Sequence, residues 1–413
     1  MTRARCVVLS PRVPWPQDDG GRVGLWQGLL AAASRFETRL VALHVGPAPP
    51  SPPAILHELG VEVNVVAHRP PAAVPALLRG TFGRWPYMLA RFRSGALEQR
   101  LRAIVASWRP DLAFIHHLHM ATYVDTLEGI PSVLREHNLE QLWVERFARA
   151  SRNPAVAAYA WHQVGRMRAA EARLCRAMAL ILATHEEEAA AIRGFAGSVP
   201  VETVGVGATF VDLDRRVPAA EPTLVVVGAF DREANAEGAE RFLDQGWPLV
   251  RTRLPHARLR IVGRGIPARL AALAREAGAE AAGFVPDLAG ELARAWGIVI
   301  PLWQGAGIRV KLVEAIAAGV PVAATPLAVE GLDLEPGHHY FEGGDAAALG
   351  RAAHALLAEP ERAREMAAAA HAFLEPTYAH EAVLQRTADL CERALAGHAP
   401  EARAALAGGA GRG

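Results

Sequence analysis

Lysine is almost missing from this 413-residue chain: of its 44 basic residues only Lys311 is lysine, and every other one is arginine. Cysteine is scarce as well. Cys6, Cys175 and Cys391 lie far apart and form no CxxC pair, which excludes a disulfide framework and a thiolate metal site and fits a reducing cytoplasm. The net charge is +1 with 21% charged residues, so there is no global basic field of the kind that binds nucleic acid by phosphate neutralisation. No apolar run approaches the length of a bilayer crossing, and the N-terminal residues read as a strand rather than a secretory signal. The sequence therefore predicts a cytoplasmic protein that is soluble, or at most peripheral at the inner membrane surface. Neither GxSxG nor a GxGxxG with an acidic strand-end partner occurs, which leaves hydrolase and dehydrogenase readings without their chemistry.

What is there alternates. Short β-branched runs alternate with longer Ala/Leu/Arg segments of helical period, the pattern of an α/β protein with parallel sheets. Strands are predicted at 5–10, 38–45, 61–66, 111–116, 131–136 and 179–184, with helices between them, notably at 22–35 and around 155–177. A second series restarts at 222–228 and runs through 257–263, 279–285, 296–302 and 319–325. This restart predicts two Rossmann-like, doubly wound domains, 1–204 and 222–378, with a Gly/Pro-rich linker at 205–221. A helix at 379–398 is expected to pack back on the first domain, followed by a flexible tail, 399–413. Such sheets bind ligands at the carboxyl ends of their strands, so the pairing suggests a ligand in a cleft between the domains.

The lone lysine lies in IPLWQGAGIRVKLVEAIAAGVPV, residues 300–322. A strand ends at Pro301, QGAG turns, and a helix is expected from near Ile308, with Lys311 and Glu314 on one face and Ile308, Leu312 and Ala315 on another. Gly305 and Gly307 let backbone approach a ligand closely, and amides at a helix start favour an anion. Arg309 and Lys311 add two cations, and Glu314 suits a ribose diol, since a carboxylate accepts from two hydroxyls. The set describes a nucleoside-diphosphate site. A tight connection with a solvated Arg/Lys/Glu face fits the same residues.

The segment resembles the donor-binding segment of retaining GT-B glycosyltransferases, glycosyltransferase family 4, in the branch carrying GxGIRxKxxEAxAxGxPV. Gly305, Gly307, Ile308, Arg309, Lys311, Glu314, Ala315, Ala317, Gly319, Pro321 and Val322 match. The stretch from Val225 to Gly265 is similar to the opening βαβ unit of that family's donor domain, and GFVPDL, with Val285, to its base-binding loop. The likeness is strongest over 222–378. It departs in two places: the first carboxylate of the family's E-x7-E would be residue 306, which is Ala306, and GAFDREAN offers Arg232 but no lysine after the first strand of the second half. The resemblance implies a GT-B enzyme that moves a sugar with retention from a nucleotide-diphosphate sugar to a hydroxyl acceptor, with no cofactor or metal and no nucleic-acid partner. The alternatives are a GT-B nucleotide-sugar epimerase and a catalytically silent nucleotide- or glycan-binding partner.

In the first half, DDGGR places Gly20, Gly21 and Arg22 where the family's glycine-rich loop would offer amides to the diphosphate or sugar; a plain turn into a helix fits equally. LREHNLE carries His137, which the resemblance assigns to the transferring sugar and which a helix-capping role would also explain. Between Glu62 and Glu98 five arginines interleave with Phe82, Trp85, Tyr87 and Phe92, either a membrane- or acceptor-facing surface or a solvated face over buried aromatics. Asp212 and Asp214 spell DxD but lie in the linker. His116, His117 and His119 cluster, but strand alternation would point neighbours to opposite faces, and no carboxylate partner is evident, so no metal is expected there.

Overall fold

The structure is a computed structural model that describes residues 3–17, 19–305 and 308–408, the last ten by backbone alone. The chain forms two compact units, one of Met1–Gly205 with Val383–Gly413 and one of Val206–Ala382. Each is built on a fully parallel sheet.

The sheet of the first unit has seven strands: β1 (Arg5–Ser10), β2 (Glu37–His44), β3 (Glu62–Ala67), β4 (Leu112–His116), β5 (Ser132–Arg135), β6 (Leu180–Ala183) and β7 (Val201–Thr203). Their order is β3-β2-β1-β4-β5-β6-β7. Successive residues of these strands feed opposite faces: Val7, Leu9 and Ile115 join one apolar cluster, Cys6, Val8 and Phe114 the other. That is why the strands read as unbroken apolar runs rather than alternating ones. The second face is closed by the last helix, His380–Gly408, which brings Val383, Leu390 and Cys391 against Cys6 and Val8. Of the tail expected at 399–413, this helix carries the backbone to Gly408, and 409–413 lie outside the described residues.

In the second unit, β8 (Thr223–Val227), β9 (Arg258–Val262), β10 (Glu280–Gly283), β11 (Gly297–Ile300), β12 (Val322–Ala324) and β13 (Phe341–Glu342) are ordered β10-β9-β8-β11-β12-β13. Val225, Val227, Ile298 and Ile300 face one cluster, and Leu224, Val226 and Val299 the other. The stretch expected as a linker is held along this unit. The Val211 amide donates to Ala317, the Ala219 amide to Arg294, and the Trp296 indole to the Ala219 carbonyl at 2.7 Å.

Both sheets reverse direction of growth once, between β1 and β4 in the first unit and between β8 and β11 in the second. Loops at the carboxyl ends diverge at such a switch point and leave room for a ligand. The residues that follow β1, β4, β8 and β11 therefore set the sites. Among the described residues no helix is long and apolar enough to cross a membrane.

Candidate active site

In the second unit the chain leaves β11 at Ile300 and enters a helix, Val310–Ala317. The helix begins two residues later than expected, because Arg309 is extended (φ −87°, ψ 92°) and takes the cap position, while Ile308 lies half-buried against the core. The connecting loop is tied at several points. Trp303 donates to Gly344 at 2.8 Å, Gln304 to Glu237 at 3.1 Å, and the Thr325 hydroxyl to the Leu302 carbonyl. Gly305 has φ +134°, a conformation that favours glycine. Ala306 and Gly307 lie outside the described residues.

Lys311 sits at the switch point. Its ammonium donates to the Val227 carbonyl at the end of β8 (3.0 Å) and to Asn235 Oδ1 (3.2 Å), while the Asn235 amide nitrogen donates to Ala229 (2.9 Å). Burial, with the Arg309 guanidinium beside it, lowers its pKa from 10.5 to about 8. Arg309 is itself buried, with Nη2 3.4 Å from the Leu327 carbonyl and 3.9 Å from Glu330 Oε2. One turn into the helix, Glu314 shares the face of Lys311. Its carboxylate has no hydrogen bond or ion pair among the described residues, and burial raises its pKa from 4.5 to about 7. Two cations and an unengaged carboxyl thus lie within one turn of a helix start. Val285, just past β10, is half-buried against the same core.

Asn235 was not singled out by the sequence. GAFDREAN offers one arginine after β8, but the residue that reaches Lys311 from this stretch is the asparagine. Its helix, Glu233–Arg241, lies so close to β11 that a Cβ on Gly238 would collide with the Pro301 carbonyl.

In the first unit Gly20 and Gly21 open the helix Gly20–Arg35, capped by Asp19, which accepts from the Arg22 amide at 3.0 Å. Arg12 grips the same Asp19 carboxylate through two contacts of 2.5 and 2.7 Å, and a Cβ on Gly21 would run into that guanidinium. Gly28, two turns on, is a further residue the sequence did not mark: its missing side chain admits the His116 ring, which a Cβ there would strike.

The histidines overturn the expectation drawn from strand alternation. β4 ends at His116, and His117 takes φ +64°, so the chain turns into a short helix, His117–Ala121, instead of continuing the pleat. The rings of His117 and His137 stack at 3.9 Å with planes 13° apart, and His116 Nδ1 lies 3.3 Å from His137 Nε2. A carboxylate partner also exists: His119 Nε2 is 3.8 Å from Glu140 Oε1. Glu140 opens the helix Glu140–Ala150, whose first amides are clamped by Glu171 from the helix Pro154–Arg176, at 2.9 Å to Glu140 N and 3.0 Å to Gln141 N. His137 is therefore held between two histidines rather than capping a helix. Burial keeps His116, His117 and His137 well below the usual imidazole pKa, His119 at about 4, and raises Glu140 to about 8 and Glu171 to about 7. In the arginine-rich stretch Trp85 is buried between Arg84 and Arg173, and Phe92 lies 4.3 Å from His119, whereas Phe82 is 82% exposed.

Known families match both units. A family model described as glycosyl transferases group 1 matches residues 221–374, and one described as glycosyltransferase family 4 matches residues 55–215. Sucrose-phosphate synthase from Thermosynechococcus elongatus shares the fold with a TM-score of 0.71, over 96% of this chain and 100% of that one, at 17% identity. The chain is a GT-B glycosyltransferase. Two more solved structures of this fold are similar to it. HepE of Anabaena, in complex with UDP and glucose, has a TM-score of 0.67 over 94% of this chain and 99% of its own, at 14% identity. The α,α-trehalose 6-phosphate synthase of Burkholderia multivorans has a TM-score of 0.66 over 97% and 100%, at 13% identity. No curated protein matches this glycosyltransferase in sequence.

Proposed function

We propose that this glycosyltransferase moves a hexosyl group, with retention, from a nucleoside-diphosphate sugar to a hydroxyl acceptor, and that no divalent ion need be added at the diphosphate. The carrying observation is the placing of Arg309, Lys311 and Glu314 at the β8/β11 switch point. The two cations and the helix start receive the diphosphate, and Glu314 takes the ribose hydroxyls, which answers a half-buried carboxyl that has no partner among the described residues. As the glycosidic bond breaks, negative charge gathers on the leaving phosphate, where preoriented cations lower the barrier most. The acceptor oxygen attacks on the face the diphosphate leaves, and its proton passes to the departing phosphate oxygen, so both charges are met without a covalent intermediate. In the first unit we assign the transferring sugar to His137, fixed by its two histidine neighbours.

UDP is the first donor nucleotide to try, because HepE, which shares the fold, is seen with UDP. Peripheral contact of the first unit with an anionic membrane surface is supported by the exposed Val74, Leu78 and Phe82 on one arginine-bearing helix. The deciding experiment is calorimetric titration of UDP, GDP and ADP into wild type and Lys311→Ala, without added Mg²⁺ or Mn²⁺. One nucleotide is expected to bind selectively and to lose affinity in the variant. If none binds, the donor-site reading is wrong.

A further inference from the structure

We infer that His117, His119 and Glu140 form a binding site for a divalent transition-metal ion, zinc(II) foremost. Each of the three offers one ligand atom, and these atoms lie within 4.8 Å of one another. On a regular helix, residues two apart diverge. Here the left-handed backbone at His117 keeps its ring centroid 5.8 Å from that of His119. Ligand atoms bound at about 2.0–2.2 Å around a tetrahedral zinc stand about 3.3–3.6 Å apart, so the site closes with side-chain shifts of about 1 Å or less. His119 Nε2 and Glu140 Oε1, at 3.8 Å, already come close to that spacing.

The donor set and the surroundings agree. Two imidazoles and one carboxylate are a three-ligand zinc set that leaves a fourth position to water or a substrate oxygen. Glu140 is 4% exposed, and among the described residues no lysine or arginine pairs with it. Glu136, four residues before it, is 1% exposed and has no lysine or arginine paired with it among the described residues, and His119 Nδ1 has no hydrogen-bond partner there. Buried carboxylates without counter-charge are unfavourable, and a divalent cation supplies what the protein does not. The ion would fasten the His117–Ala121 helix to the start of the Glu140–Ala150 helix. It would also fix the His117 ring on which His137 rests. This makes it a positioning element of the first unit, separate from the diphosphate neutralisation proposed above.

The test uses tag-free, full-length protein stripped with a chelator and titrated with Co²⁺ and then Zn²⁺. One equivalent of cobalt should bind with a visible d–d absorption that zinc abolishes. Zinc at about a hundredfold excess over its Kd should raise the melting temperature by several degrees. Glu140→Gln and His117→Ala, each confirmed as folded by circular dichroism, should bind zinc at least about tenfold more weakly, since even outer residues of metal sites have effects of that size. His117 is the least buried of the three, so its truncation keeps the test open if Glu140→Gln does not fold. Wild type that binds no stoichiometric zinc, or folded variants that bind it as tightly as wild type, would overturn the assignment.

Discussion

Replacing Lys311 by methionine separates a binding role from a structural one. The substitution keeps length and apolar stem and deletes the charge. Burial holds the ammonium at a pKa of about 8 against 10.5 in the unfolded chain. At about 1.4 kcal/mol per unit, its charged form is therefore disfavoured in the fold by about 3 kcal/mol at pH 7. Against that gain, methionine leaves the Val227 carbonyl and Asn235 Oδ1 without their donor. Each stranded acceptor costs about 1–3 kcal/mol, so the two together cost about 2–6 kcal/mol. The two effects oppose each other, and the stability of the variant in urea should lie within about 3 kcal/mol of wild type. Nucleotide binding has no such compensation. A hydrogen bond to a charged group contributes about 1.5–3 kcal/mol, so the UDP Kd measured calorimetrically should rise about 10- to 150-fold. A folded Lys311→Met that binds UDP within twofold of wild type would refute the diphosphate assignment. A loss of stability above about 4 kcal/mol would make the lysine a strut, not a ligand.

Lys311→Arg should recover less than a tenth of wild-type turnover, measured with the donor that binds, because the planar fork does not fit where a compact ammonium meets Val227 and Asn235. UDP affinity should weaken above about pH 8 and approach tenfold per pH unit, since the free protein then loses the Lys311 proton that the diphosphate requires; calorimetry from pH 7 to 9.5 reads this directly. The same lowered pKa means that the fold binds fewer protons than the unfolded chain between about 8 and 10.5, so this group makes stability rise with pH across that window. Glu314 works the other way: raised to about 7, it makes stability fall as pH rises from 4.5 to 7. Glu314→Gln should flatten that slope in urea melts and abolish discrimination between UDP and its 2′,3′-dideoxy analogue. Gly28→Ala should leave the UDP Kd within about twofold while lowering kcat at least about tenfold, through the displaced His116 ring; a kcat unchanged in the folded variant would detach His116 from the site.

Both sheets were legible in the sequence because parallel strands buried on two faces are unbroken apolar runs, as at Thr223–Val227. The strands that escaped notice are Val201–Thr203, hidden at the head of a Gly/Pro-rich stretch, and Phe341–Glu342, too short to show a pattern. The lone lysine stands in the helix that follows β11. Its partners did not show, because Val227 and Asn235 stand 84 and 76 residues before it and only the β8/β11 adjacency brings them there. The histidines misled for a local reason: period-two reasoning assumes that the strand continues, and one left-handed residue at His117 ends it. Glu140 and Glu171 then reach the cluster from helices that amphipathic pattern alone does not orient.

The helix that begins at His380 closes the sheet made by the first residues of the chain, while Val206–Ala382 forms an uninterrupted unit of its own. During synthesis this reverses the usual order of maturation. The second unit is complete in sequence before the first, whose apolar face around Cys6, Val8 and Phe114 stays uncovered until Val383, Leu390, Cys391 and Ala394 have been made. A frameshift or premature stop after residue 382 would therefore damage the earliest-made part of the molecule. The second unit would be left intact, attached to a partner that cannot finish folding.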